Sequence, residues 1–386
     1  MRQPLPGLIP RTARPRPRKG VIAALDPFTP LAFPRGAPMR NRLALAPLTN
    51  LQSHDDGCIS DDELAWLARR ADGGFGMVMT CAAAVHPLGK GFPRQMGIHA
   101  DAHRAGLERL AAALRVAGSI SAVQLQHSGA RAPRDLIDGQ PVGATDDAQR
   151  GVRGLSTGEV EQAVEDFITA GLRARDAGFD GVEIHGAHGY LPCQFLDVKR
   201  NQRTDRYGGD ADGRARMLNE IIIGLRGRAG QDFQIGVRLS PERYGVAFAE
   251  MRMLAQKLMG GGLIDYCDIS CWDAFKRPED PDFQDRDLIG WYADLDRGAA
   301  RLGVAGKLTS AASVRDCFAR GVDFVLLGRG AILHHDFPTL MAADPDFRSA
   351  SLPVSRAHLA RESLGRHFID YMATWQGFVA EQQEQA

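Results

Sequence analysis

The richest cluster of reactive side chains is His185-Gly186-Ala187-His188-Gly189-Tyr190: two imidazoles three residues apart in a glycine-rich stretch, with a phenol close behind. That spacing lets both rings enter one pocket, and three readings compete for it. Two ring N–H groups aimed at one carbonyl oxygen would stabilise charge growing there, with the tyrosine as proton donor. A metal could be held instead, but no carboxylate or third histidine stands at a local ligand spacing. The pair could also be two capped structural histidines. The electrophilic reading accounts for the tyrosine as well, and it leads. A second signal is Phe324–Gly330, an apolar run that turns into Gly328 and Arg329. Glycine lets backbone N–H groups approach an anion, and an arginine fork grips phosphate.

The elements that must position these groups alternate along the chain. Short β-type runs are read at Leu43–Pro47, Met77–Cys81, Ala122–Leu125, Gly181–Ile184, Ile235–Leu239, Tyr266–Ser270, Gly306–Thr309 and Phe324–Leu327. Helical period fills the gaps, with starts marked by Ser60 before Glu63 and by Ser156 before Glu159 at capping-box spacing. Further helices are expected over Asp101–Ala117, Asp212–Arg228, Glu250–Met259, Leu288–Leu302 and Ser310–Arg320. Eight strands each followed by a helix is the count of an α/β (β/α)8 TIM barrel, whose active groups sit at the C-terminal ends of strands. A doubly wound sheet would carry a glycine fingerprint after its first strand, where this chain has Ala46-Pro47-Leu48-Thr49.

Composition narrows the classes further. The chain has 386 residues, 47 basic and 47 acidic, so its formal charge is zero. Such a balance argues against duplex nucleic acid as a partner. No apolar run is long enough to span a membrane. Six scattered cysteines form no CxxC, and the basic, proline-rich residues 1–25 lead into no apolar signal segment, so a cytoplasmic protein with a loosely ordered extension is expected. Cys267 and Cys271 read as two buried small residues. The barrel is placed at 26–345 and a C-terminal helical segment at 346–386. Its apolar residues, Leu359 to Phe378, could build a homo-oligomer interface or close the barrel.

His185–Gly209, H-G-A-H-G-Y-L-P-C-Q-F-L-D-V-K-R-N-Q-R-T-D-R-Y-G-G, resembles the signature of the Old Yellow Enzyme family, the FMN-dependent NAD(P)H:flavin oxidoreductases. Ala46-Pro47-Leu48-Thr49, Gln124–Gly129, Val237–Ser240 and Leu327-Gly328-Arg329 follow in the family's order. The resemblance implies FMN as cofactor and NAD(P)H as reductant. It puts Thr49 on the flavin C4 carbonyl, Ala46, Pro47 and Leu48 along the ring, Ala82 beside it and Gln124 at the pyrimidine edge. Arg238 would face N1 and the C2 carbonyl, and Gly328 and Arg329 the phosphate, near Thr309 and Ser310. An enone-type substrate would place its oxygen between His185 and His188 and take a proton from Tyr190.

Two residues depart from the pattern. Cys81 stands where many members carry an acidic residue, and Leu51 where some have a tyrosine over the substrate. Trp272 and Phe275, in the loop after the sixth strand, could wall the substrate cavity or pack as a hinge. The alternatives are an FMN-dependent amine dehydrogenase or demethylase on the same barrel, and, in a different class, a metal-dependent barrel hydrolase using His185 and His188.

Overall fold

The computed structural model describes residues 25–380; the basic extension, apart from Leu25, and the last six residues lie outside the described residues. Eight parallel strands close into a barrel in simple sequential order. They are β1 (Leu43–Leu45), β2 (Met77–Ala84), β3 (Ile120–Gln126), β4 (Gly181–Gly186), β5 (Gln234–Leu239), β6 (Tyr266–Ser270), β7 (Arg301–Ala305) and β8 (Phe324–Leu327). The outer ring comprises α1 (Asp61–Asp72), α2 (Arg104–Val116), α3 (Thr157–Asp176), α4 (Ala211–Arg228), α5 (Phe248–Gly260), α6 (Leu288–Ala293) and α7 (Ala311–Ala319). Two short helices, Arg329–Leu333 and Phe337–Ala343, follow β8. The (β/α)8 expectation holds.

Both serines that mark helix starts act as caps, and one of them closes the expected box. Ser156 and Glu159 form the full reciprocal capping box of α3. Ser60 caps α1 by accepting from the Glu63 amide, but the Glu63 side chain turns inward instead of reaching back. Its carboxylate is buried and accepts from Asn50, Ser53 and the Cys81 thiol, the last at 3.1 Å. Cys81 therefore faces outward onto α1, and the acidic group expected at its position stands beside it on the helix.

Leu31, Phe33 and Met39 join Ala44, Met77, Ile120, Tyr266 and Phe324 in a cluster that fills the lower barrel. Leu31 and Met39 pair as an antiparallel bridge, and Gln234, at the start of β5, donates to the Arg35 and Ala37 carbonyls. This turn therefore plugs the N-terminal end. Phe33, Tyr266 and Phe324 meet with centroids 5.6 to 5.9 Å apart, three aromatic contacts worth about 0.5–1.5 kcal/mol each beyond their burial.

The seventh strand departs from expectation. It runs Arg301–Ala305, in register with Tyr266–Ser270 on one side and with Phe324 and Val325 on the other, and not Gly306–Thr309. The helix expected over Leu288–Leu302 stops at Ala293. Leu302 continues the apolar period of that helix, which hides the strand that contains it. Gly303 is the structural requirement there, since a Cβ would fall 2.5 Å from the Phe324 ring.

Beyond the barrel, the C-terminal segment folds back as two short helices, Arg356–Arg361 and Arg366–Ala373. Leu359, Leu364, Phe368, Ile369, Met372 and Phe378 are buried against the chain's own barrel, with Phe368 edge-on to Trp66 at 4.9 Å. No helix among the described residues is long and apolar enough to cross a membrane.

Candidate active site

The strand ends converge. Pro47, Leu48 and Thr49 after β1, Ala82 on β2, Gln124 on β3, His185 on β4 with His188 and Tyr190 behind it, and Arg238 on β5 line one cavity of about 200 Å³. Ile332, Tyr371, Met372 and Trp375 complete its wall. A bulge between Met79 and Ala82 shifts the β2 register, and with it the residues that precede Ala82.

The turn after β4 is held in an unusual conformation. His188 sits at φ +59° and Gly189 at φ +70°, and the His188 amide donates to Ser240 Oγ at 3.0 Å. Left-handed non-glycine residues cost of order 1–3 kcal/mol and cluster at functional sites. The result is a pair of imidazoles in contact: His185 Nε2 lies 2.8 Å from His188 Nδ1, and His188 Nε2 lies 2.9 Å from Ser270 Oγ. Burial, then Arg238 and Arg131, pushes His188 down to about 3, and burial followed by His188 holds His185 well below its ordinary value. Both rings are neutral at neutral pH, and each carries one N–H. Buried His185 Nδ1 has no partner among the described residues and is free to bond a bound molecule. Burial raises the Tyr190 phenol, so it keeps its proton; its ring packs 4.9 Å from His185, with the Arg131 guanidinium 5.3 Å above it.

Arg238 is the fixed cation of the site, 6% exposed. It stands in cross-strand register with His185 on one side and Asp268 on the other. Its Nε lies 3.0 Å from Asp268 Oδ2, off the angle of a directional hydrogen bond, and its Nη2 donates to Ser270 Oγ. A planar heterocycle with a polar edge suits this set. Arg238, Gln124 and Thr49 offer charge, amide and hydroxyl, while Leu48, Ala82, Ile332 and Met372 offer apolar faces. Arg329 opens the short helix after β8, and its side chain has no hydrogen-bond or ion-pair partner among the described residues, which leaves its fork free for an anion. Its neighbour Gly328 sits near Leu48, whose Cδ2 lies 3.4 Å from where a Cβ would stand.

The sequence profile of the NADH:flavin oxidoreductase / NADH oxidase family matches residues 26–273. The chain belongs to this family, the Old Yellow Enzyme group. It is 37% identical over 316 residues to the probable NADH-dependent flavin oxidoreductase YqiG of Bacillus subtilis, spanning 78% of this chain and 84% of that protein. It is 34% identical over 337 residues to NADH:fumarate oxidoreductase of Klebsiella pneumoniae, where the match covers 83% of this chain but 36% of the longer relative. Morphinone reductase solved with tetrahydroNAD superposes with a TM-score of 0.74 at 26% identity, covering 89% of this chain and 96% of that one. Like the Old Yellow Enzymes, the chain is an FMN-dependent NAD(P)H flavin oxidoreductase.

Several expected site residues stand elsewhere. Thr309 and Ser310 are displaced with the seventh strand: Ser310 caps α7 in a reciprocal bond with Ser313, and neither lines the cavity. Phe275 packs beneath Arg320 at 4.8 Å, away from the cavity. Trp272 is 64% exposed and lies on the far side of His188, beside Ser240, Tyr244 and Ser270. Leu51 takes a left-handed φ of +54° and does not reach the cavity wall. A larger cavity of about 720 Å³ adjoins the site through Arg131, Gly189 and Tyr244, but holds none of the converging strand-end groups.

The residues that sequence reasoning missed come from the chain's end. Tyr371 and Trp375 are an i, i+4 aromatic pair with centroids 6.0 Å apart. That spacing was the available signal, although it reads equally well as a packing stripe.

Proposed function

We propose that this Old Yellow Enzyme relative reduces the activated C=C bond of an α,β-unsaturated carbonyl compound at the expense of NADH or NADPH. The observation that carries the reading is the meeting of two neutral imidazoles and a protonated phenol in one cavity with Arg238 and Gln124. Bound FMN supplies the hydride carrier. Thr49, Gln124 and Arg238 hold its polar edge, and Gly328 with Arg329 hold its phosphate. The free Nδ1–H of His185 receives the substrate's carbonyl oxygen and stabilises the charge that grows on it, while His188 donates from Nδ1 to His185 Nε2 and fixes that tautomer. A neutral ring suits this task, because one nitrogen donates to the substrate oxygen while the other accepts from the group that orients it. Tyr190 gives its phenolic proton to the α-carbon, and the Arg131 guanidinium over its ring favours the phenolate left behind. The relative named for fumarate supports an alkene conjugated to a carboxyl or carbonyl group.

The metal reading gains no support from the geometry. Among the described residues, the cluster of three metal-type ligands is His335, Asp336 and Glu362, which excludes the His185–His188 pair. The test separates the two half-reactions by stopped flow. Tyr190→Phe should bleach normally with NADPH, yet return its colour ~10²–10⁴-fold more slowly with 2-cyclohexenone. Equal slowing of both halves would remove Tyr190 from the proton step. An unreactive enone with a reactive secondary amine would replace the alkene by an amine as substrate.

A further inference from the structure

Beneath Arg238 lies a buried charge cluster that the reaction above does not use. Glu183 is two residues before His185 on β4, in register with Gln124 on β3 and Gly236 on β5. Gly236 in turn is in register with Tyr266 on β6, and a Cβ there would fall 2.0 Å from the Tyr266 ring. The absent side chain makes room for that ring across the barrel. One layer up stand His185, Arg238 and Asp268. Glu183 and Asp268 are both 0% exposed.

The cluster holds two carboxylic groups and one guanidinium, and that guanidinium is taken by Asp268 at 3.0 Å. Glu183 receives one hydrogen bond, from Gln124 Nε2 to Oε1 at 2.8 Å, while its Oε2 and both Asp268 oxygens receive none from any described residue. The other titratable groups facing the pair add no cation. They are the Tyr266 phenol, itself unpartnered, and the neutral His185; the Cys267 thiol, which burial keeps protonated, packs on the outer face of β6. From β1, β2 and β8 the facing residues are apolar: Ala44, Ala46, Met77, Met79, Phe324 and Leu326. Two buried carboxylates sharing one cation are costly, and a buried group in that position neutralises itself.

We infer that Glu183 is kept protonated beneath Arg238 in the working enzyme, and that this proton sets how much positive field Arg238 presents to the flavin edge. Burial and the Asp268 charge push Glu183 far above the usual carboxylate range, with Arg238 and Gln124 pulling weakly the other way. With Glu183 neutral, Asp268 balances part of the Arg238 charge and the remainder faces the ring. Hydride from the nicotinamide leaves the ring one unit more negative, and Arg238 meets that charge. When Glu183 ionises, a second negative charge opposes Arg238. Reduction then draws one solvent proton back onto the Glu183 carboxylate. Glu183 is thus a tuning residue that acts through Arg238 and touches no substrate.

The inference rests on the flavin site described above, and the experiment separates the two. The midpoint potential of the FMN-loaded enzyme is measured from about pH 6 to about pH 10, a window that spans buried glutamic acids titrating as high as about 8–9. Each proton taken up with two electrons changes the equilibrium tenfold per pH unit, about 30 mV. The native protein should pass from one proton to two on the alkaline side. Glu183→Gln should match it at pH 6, lack the break, and hold the higher potential at alkaline pH. In parallel, infrared spectra of the apoprotein should show a protonated-carboxyl C=O band at pH 7 that Glu183→Gln removes. A native slope without a break, no carboxyl band at pH 7, or a Glu183→Gln potential already raised at pH 6 overturns the inference. If the variant does not fold, the break in the native slope decides alone. A protein that takes up no FMN sinks the flavin site, and the infrared band still decides the state of Glu183.

Discussion

The barrel interior is divided, and its two halves do different work. Toward the C-terminal end, β3 to β6 supply Gln124, Glu183, His185, Arg238, Asp268 and Ser270, all polar or charged. Opposite and below them, β7, β8, β1 and β2 supply Ala305, Phe324, Leu326, Ala44, Ala46, Met77 and Met79, joined at the lower level by Ile120 and Ala122 of β3 and Tyr266 of β6. Both halves share one strand geometry and one hydrogen-bonded ladder, so the fold does not impose the difference. Apolar filling fixes the barrel's shape at low electrostatic cost. The polar half can then hold a guanidinium, two carboxylic groups and two neutral imidazoles in positions that water would otherwise blur.

The sharpest break is Arg238→Leu. It leaves Asp268 without its cation, which should cost ~3–5 kcal/mol in stability and strip the flavin as well. Chemical denaturation and the visible flavin band check both effects. Phe324→Ala on the opposite wall should cost a similar ~3–5 kcal/mol through the cavity it opens. That protein should stay yellow, so equal losses in stability would carry opposite consequences for the cofactor. Within the polar half, His185→Ala should slow enone-driven reoxidation ~10²–10³-fold while the protein remains yellow and still oxidises NADPH with a dye as acceptor. Loss of flavin in that variant would make the histidine structural.

The histidines also predict a pH response. Their pKa values are depressed in the fold, to about 3 for His188, so the enone step should show no histidine limb between about pH 8 and about pH 5. For stability, the unfolded chain binds protons below its ordinary histidine pKa of about 6.5, where the folded pair stays neutral. Their contribution is therefore complete above about 6.5 and falls as pH drops from there toward 3. Melting temperatures across that range check it, and Met79→Leu should show the smallest effect of the series, below about 1.5 kcal/mol.

Much of this division was legible in the sequence. The tight His185–Tyr190 cluster, the arginine inside Val237–Ser240 and the Gly328-Arg329 step each break an apolar run with groups that packing does not require. Residues on short, unambiguous strands fell where expected: Tyr266–Ser270 and Phe324–Leu327 match to the residue. The seventh strand did not, because Leu302 fits two periods and the Gly303 requirement depends on Phe324, twenty-one positions away. Thr309 and Ser310 accordingly lie beyond the strand, with Ser310 at the start of α7. The lid formed by Tyr371, Met372 and Trp375 was hidden for another reason, since nothing local says over which opening a terminal helix will fold. Glu183 reads as one polar residue in a strand until the register sets it beside Gln124 and below Arg238.

The most direct test is a visible spectrum of the purified protein, followed anaerobically by NADPH and then by 2-cyclohexenone. A yellow band that NADPH bleaches and the enone restores is the predicted result. A protein that is colourless and stays so after incubation with FMN would contradict the account at its centre.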